Sequence, residues 1–173
     1  MNSETKCEYT ESMKLICICN LAERNRPMIQ YPNAKINLGL HITEKRPDGF
    51  HNLETIFYPI GLSDILEILV VNPSESKTSM QFSSSGISIP GEGNLCSEAF
   101  DILRNDFPEK MASAHCLAHL HKIVPIGAGL GGGSSDAAFA LRMLNEIFAL
   151  GLDQNKLEEY AAKLGSDCPF FIQ

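Results

Sequence analysis

A chain of 173 residues is long enough for one compact domain, burying about 70% of its unfolded surface, and too short for a second of ordinary size. Hydrophobic residues make up 44% and charged residues 20%, which excludes disorder or low complexity over most of the length. Fourteen basic against twenty-one acidic residues leave a formal charge of −7 with no basic patch, which argues against nucleic-acid or anionic-membrane partners.

The first 27 residues differ from the rest. Residues 1–12 are polar and aperiodic, and residues 22–27 are a charged stretch ending in Pro27, so the segment reads as a disordered extension or a misassigned start ahead of Met28. Residues 15–22 are apolar but contain Cys17, Cys19 and Asn20, and Glu4, Glu8 and Glu11 stand where a secretory signal is basic; a cytoplasmic protein is expected. Six cysteines, Cys7, Cys17, Cys19, Cys96, Cys116 and Cys168, lack paired zinc-site spacing and read as reduced thiols. The strongest apolar run, 65–71, is strand-sized and holds Glu67, far from the roughly 20 residues of a membrane span.

Residues 36–42 predict a strand running into turn chemistry at Pro47, Asp48 and Gly49. Two more strands are expected over 53–60 and 65–71, separated by Gly61, Leu62, Ser63 and Asp64. The Ser-rich stretch 72–85 reads as a loop and 87–89 as a short strand. Asn94 caps a predicted helix with Leu95, Ala99, Ile102 and Leu103 on one face, stopped by Pro108. Residues 116–124 alternate as a strand. Further on, Ala137, Leu141, Leu144 and Phe148 mark one face of a long helix, and Asp153 caps another through Leu157, Tyr160, Ala161 and Leu164 to Gly165.

The most informative segment joins that strand to the long helix: Pro125, Ile126, Gly127, Ala128, Gly129, Leu130, Gly131, Gly132, Gly133, Ser134, Ser135 and Asp136. Five glycines in seven positions carry an entropic cost that a plain flexible turn has no need of. Placed at a helix start, where amide N–H groups are unpaired and the helix dipole is positive, they make a phosphate cradle. The lysine of a Walker loop is missing. A literal G-x-G-x-x-G occurs at Gly127, Gly129 and Gly132, but the acidic residue a dinucleotide site wants lies on a following strand, and Asp153 stands between two helical patterns.

This loop occurs together with Pro32, Asn33, Ala34, Lys35, Ile36, Asn37, Leu38, Gly39 and Leu40, with Arg46, Pro47, Asp48, Gly49, Phe50 and His51, and with Gly165, Ser166, Asp167, Cys168, Pro169 and Phe170. In their chain order the four motifs resemble the GHMP kinase superfamily over 28–173, and within it the branch acting on a cytidine-diphosphate-linked methylerythritol. The resemblance implies an α+β fold, the GHMP N-terminal ATP-binding domain, similar to domain 2 of ribosomal protein S5, with a mixed or antiparallel sheet and helices packed on one side. It implies transfer of the ATP γ-phosphoryl group, with Mg²⁺ arriving on ATP and no protein ligand assigned to it, to a methylerythritol hydroxyl in non-mevalonate isoprenoid synthesis. Alternatives are a nucleotide-binding module of the same superfamily without turnover, or another of its small-molecule kinases.

By the same resemblance Asp167 is the catalytic carboxylate facing the acceptor hydroxyl and Lys35 its partner; taken alone, each reads as an ordinary turn or surface residue. Pro125 to Ser135 hold the triphosphate, and Asn94 and Lys122 the adenosine, with helix capping and surface charge as competing readings. Asn37 contacts substrate. Phe50, where the family usually has tyrosine, stacks on the cytosine, and His51 makes polar contacts to its edge. Family members continue into a second domain that closes over the substrate, so an exposed apolar surface, an unpaired sheet edge and marginal stability are expected of this chain by itself.

Overall fold

Period-two burial sets the sheet. Along Ile65–Val71 the residues Leu66 and Ile68 are buried, and along His115–Lys122 so are Cys116, Ala118, Leu120 and Lys122. One face of each strand therefore has to be covered. A computed structural model describes residues 27–45, 51–71, 79–90, 93–111 and 115–172. The expected extension (1–26), the expected turn with Phe50 (46–50) and the start of the Ser-rich stretch (72–78) lie outside the described residues.

The elements in chain order are β1 (Met28–Gln30), β2 (Asn33–Lys45), β3 (His51–Ser63), β4 (Ile65–Val71), β5 (Ser79–Gly86), α1 (Leu95–Asp106), β6 (His115–Lys122), α2 (Gly132–Ile147), α3 (Gln154–Leu164) and a 3₁₀ turn at Cys168–Ile172. Four strands form a mixed sheet in the order β1-β4-β6-β5, antiparallel except for the parallel β5/β6 pair. β2 and β3 form a separate antiparallel hairpin. The fold is α+β, as the sequence led us to expect.

The three helices cover the buried face. Cys96, Ala99, Phe100 and Leu103 of α1, Ala137, Ala138, Leu141 and Leu144 of α2, and Leu157, Tyr160 and Ala161 of α3 join the β4 and β6 residues in one core. Each fully buried Leu or Phe in it is worth roughly 1.5–3 kcal/mol of transfer free energy. The predicted caps are present: Asn94 Oδ1 accepts from Cys96 N at 2.7 Å and Asp153 Oδ1 from Lys156 N at 2.8 Å. Cys96, Cys116 and Cys168 are buried free thiols, and no helix among the described residues is long and apolar enough to cross a membrane.

Two expectations are corrected. Gly61, Leu62 and Ser63 do not separate two strands: β3 runs through Ser63, which pairs with Asn33, and Asp64 alone intervenes before β4. Residues 79–86 form β5 and not a loop, whereas 87–89 have no strand pairing beyond the bond from Ile87 N to Lys122 O. Met80 and Phe82 pack partly buried against the core, while Ser79, Ser83 and Ser85 exchange hydrogen bonds with His115, His119 and His121 of β6. Cross-strand pairing outweighs the low strand propensity of serine there. The expected exposed apolar surface is present on the hairpin, where Leu38, Leu40, Ile42, Ile56 and Tyr58 are 47–66% exposed.

Candidate active site

The glycine loop leaves β6 at Lys122 and enters α2 at Gly132. Its last residue, Gly131, is the helix N-cap in the left-handed region (φ 69°), and no side chain caps α2. Helix geometry therefore leaves the first-turn amides for whatever fills the adjoining cleft. That cleft encloses about 350 Å³, and Asn94, Lys122, Pro125, Ile126 and the loop from Gly129 to Ser134 line it, together with Gly127 and Asp136. Of the predicted cradle residues, Ala128 is outside the lining and Ser135 is wholly buried under it.

Two glycines fix how closely the loop packs. A Cβ on Gly131 would stand 2.9 Å from Phe171 Cζ and 3.1 Å from Lys35 Cγ. A Cβ on Gly132 would stand 2.9 Å from both Lys122 Nζ and Val124 Cγ1. The bond from Lys35 N to Leu130 O at 2.9 Å ties the loop to β2. Glycine is needed here as much for the protein beneath the loop as for a ligand above it.

Lys35 and Asp167, 132 positions apart in sequence, meet beside this loop. Lys35 is 3% exposed, and its Nζ lies 3.3 Å from Asp167 Oδ2 and donates to Asn37 Oδ1 at 2.9 Å. Asp167 sits in the turn ahead of Cys168–Ile172, its side chain about one-third exposed. A partly open carboxylate against a buried ammonium is suited to taking a proton while the ammonium offsets negative charge nearby. The carbonyl oxygen of Asn37, expected to face substrate, is engaged with Lys35.

Lys122 is not a surface charge. It is 3% exposed and bridges Asp64 Oδ2 at 2.5 Å and Asp136 Oδ2 at 2.7 Å. The other oxygen of Asp64 accepts from Ile123 N at 2.5 Å and Val124 N at 2.8 Å, fixing the chain as it enters the loop. Burial pushes the Asp136 carboxyl up to about 7; Lys122 opposes that shift and Asp64 adds to it. Burial acts to lower the Lys122 ammonium, but the two carboxylates, Asp136 first, hold it above its ordinary value.

Sequence reasoning missed Phe57, Asp64 and Phe171 and assigned no role to Asp136. A signal for Lys122 was available, since it shares strand parity with the buried Cys116, Ala118 and Leu120. Phe50 lies outside the described residues. His51, described by its backbone alone, opens β3 opposite Lys45, six residues and roughly 20 Å along the strand from Phe57. Among the described residues no group of three or more His, Cys, Asp or Glu is placed to hold a metal ion.

Residues 94–173 match the family described as GHMP kinases N terminal domain. The chain carries a GHMP kinase N-terminal domain. It is 56% identical over 146 residues to a 4-diphosphocytidyl-2-C-methyl-D-erythritol kinase of Bacteroides fragilis, covering 84% of this chain and 52% of the relative. A protein of the same name from Cytophaga hutchinsonii is 51% identical over 148 residues, covering 84% and 51%. A crystal structure of 4-(cytidine 5'-diphospho)-2C-methyl-D-erythritol kinase superposes with TM-score 0.66 at 35% identity, over 84% of this chain and 48% of that one. The chain spans about half the length of the curated relatives it matches.

Proposed function

We propose that this chain serves the ATP-dependent phosphorylation of 4-diphosphocytidyl-2-C-methyl-D-erythritol on a methylerythritol hydroxyl. The observation that carries the reading is the Lys35–Asp167 pair, whose lysine stem packs against Gly131, the N-cap of α2, at the edge of the glycine loop that lines a cleft of about 350 Å³. The names of relatives 51–56% identical to the chain supply the choice of acceptor.

In this reading the amides between Ile126 and Ser135 hold the triphosphate, with Asn94 at the adenosine end, while Lys122, expected there too, supports the loop from beneath through Asp64 and Asp136. Phosphoryl transfer asks the protein for alignment and charge neutralisation more than for covalent chemistry. Asp167 accepts the proton of the acceptor hydroxyl as its oxygen attacks the γ-phosphorus, and ADP departs with the electrons of the broken bond. Lys35, 3.3 Å from Asp167 Oδ2, offsets the charge on the moving group. Mg²⁺ carried on ATP would supply neutralisation of the phosphate charge, with no residue of this chain assigned to hold it. Asn37 uses its oxygen on Lys35 and has its amide for the substrate, and the family resemblance assigns Phe50 and His51 to the cytosine. The protein acts in the cytoplasm on a small molecule, with no nucleic-acid or membrane partner.

The test is a substrate panel with labelled ATP. Label is expected on 4-diphosphocytidyl-2-C-methyl-D-erythritol and not on mevalonate or homoserine. Transfer to either of the latter contradicts the choice of acceptor, and ATP binding without transfer to any of them favours a nucleotide-binding module.

A further inference from the structure

Three aromatic rings connect the parts that phosphoryl transfer has to keep together. Phe57 lies directly opposite Asn37 in the β2–β3 register, and its ring lies under Lys35 Nζ, 4.3 Å from the centroid. Phe170 meets Phe57 edge to face at 5.1 Å and 65°, and Phe171 meets Phe170 at 5.0 Å and 77°. Phe171 in turn occupies the space that a side chain on Gly131 would need. The rings run from the ammonium, through the turn that follows Asp167, to the glycine loop.

We propose that Phe57 is a positioning residue whose ring face seats the Lys35 ammonium and, through Phe170 and Phe171, keeps it in register with Asp167 and the glycine loop. This rests on the reading of Lys35 and Asp167 as the phosphoryl-transfer pair. A lysine head on a flexible four-carbon stem has many rotamers. Lys35 is held in one of them by Asn37 from its own strand, by Asp167 from the far end of the domain and by Phe57 from the neighbouring strand. The negative face of an aromatic ring attracts a cation most where water is excluded, as it is around this 3% exposed side chain. An aliphatic side chain at 57 would fill the same space without that attraction. Sequence gave no hint, because Phe57 reads as one more apolar strand residue.

Two measurements on the intact protein test the proposal. The ε-methylene resonance of Lys35, assigned by its loss in Lys35→Arg, is expected upfield of other lysines through the ring current. It should return to the ordinary position in Phe57→Leu and stay upfield in Phe57→Tyr. In kinetics, Phe57→Leu is expected to lower kcat about tenfold with KM for ATP and acceptor within about twofold, and Phe57→Tyr to restore kcat. A Lys35 resonance indifferent to Phe57→Leu overturns the proposal, as does a kcat loss that Phe57→Tyr does not recover. If the unaltered protein transfers no phosphoryl group, the kinase reading fails, and the resonance alone decides whether the ring seats the ammonium.

Discussion

The buried cluster under the glycine loop holds one cation, Lys122, and two carboxyls, Asp64 and Asp136. Burial pushes the Asp136 carboxyl from 3.8 up to about 7; Lys122 opposes that shift and Asp64 adds to it. A carboxyl whose folded pKa is raised contributes stability that is whole below its unfolded pKa and lost as pH climbs through the folded value. Asp136→Asn keeps the shape, leaves Lys122 paired with Asp64 and removes the titration. At about 1.4 kcal/mol per pKa unit, the wild-type chain should lose about 3 kcal/mol relative to Asp136→Asn between pH 5 and pH 8. Cys96, the other titrating neighbour from α1, stays a neutral thiol because burial pushes it up, with Asp136 adding to the shift. Urea unfolding of both proteins at pH 5, 6, 7 and 8 reads the difference directly. Two stability curves running parallel over that range, or an Asp136→Asn protein that loses ground as pH rises, would refute the charge argument.

Other outcomes follow from single contacts. Gly132→Ala pushes a methyl to within 2.9 Å of Lys122 Nζ and Val124 and should cost about 1–3 kcal/mol in urea unfolding, with weaker ATP binding by calorimetry. Tyr160→Phe removes the 2.7 Å bond from the Tyr160 hydroxyl to Asp106 that ties α3 to α1, an expected loss of about 1 kcal/mol; an unchanged midpoint would mean the bond contributes nothing. Ile42→Thr and Ile56→Thr alter side chains that are 62% and 66% exposed. Each should cost about 0.5 kcal/mol or less while reducing self-association measured by light scattering.

The parts of this domain legible in sequence are those where local chemistry carries the structure. The glycines between Gly127 and Gly133 announce a cradle because nothing else explains their entropic cost, and Asn94 and Asp153 announce helix starts because they cap them. β5 was hidden because its serines look like loop residues until His115, His119 and His121 stand beside them. Asp64 was hidden because a buried carboxyl between strands looks like turn punctuation. Phe57 was out of reach for a different reason: its position opposite Asn37 depends on the hairpin register, which shifts between Leu38 and Leu40 and again between Ile42 and Glu44.

One comparison goes to the centre of this account. Removing the Asp167 charge with Asp167→Asn, and measuring both ATP affinity and single-turnover transfer of the γ-phosphoryl group, separates holding the nucleotide from moving the phosphate. The account predicts a transfer rate lower by about 10²–10⁴-fold, the usual worth of a positioned proton acceptor, with ATP affinity changed by less than about threefold. An Asp167→Asn protein that transfers phosphate at the wild-type rate would contradict it.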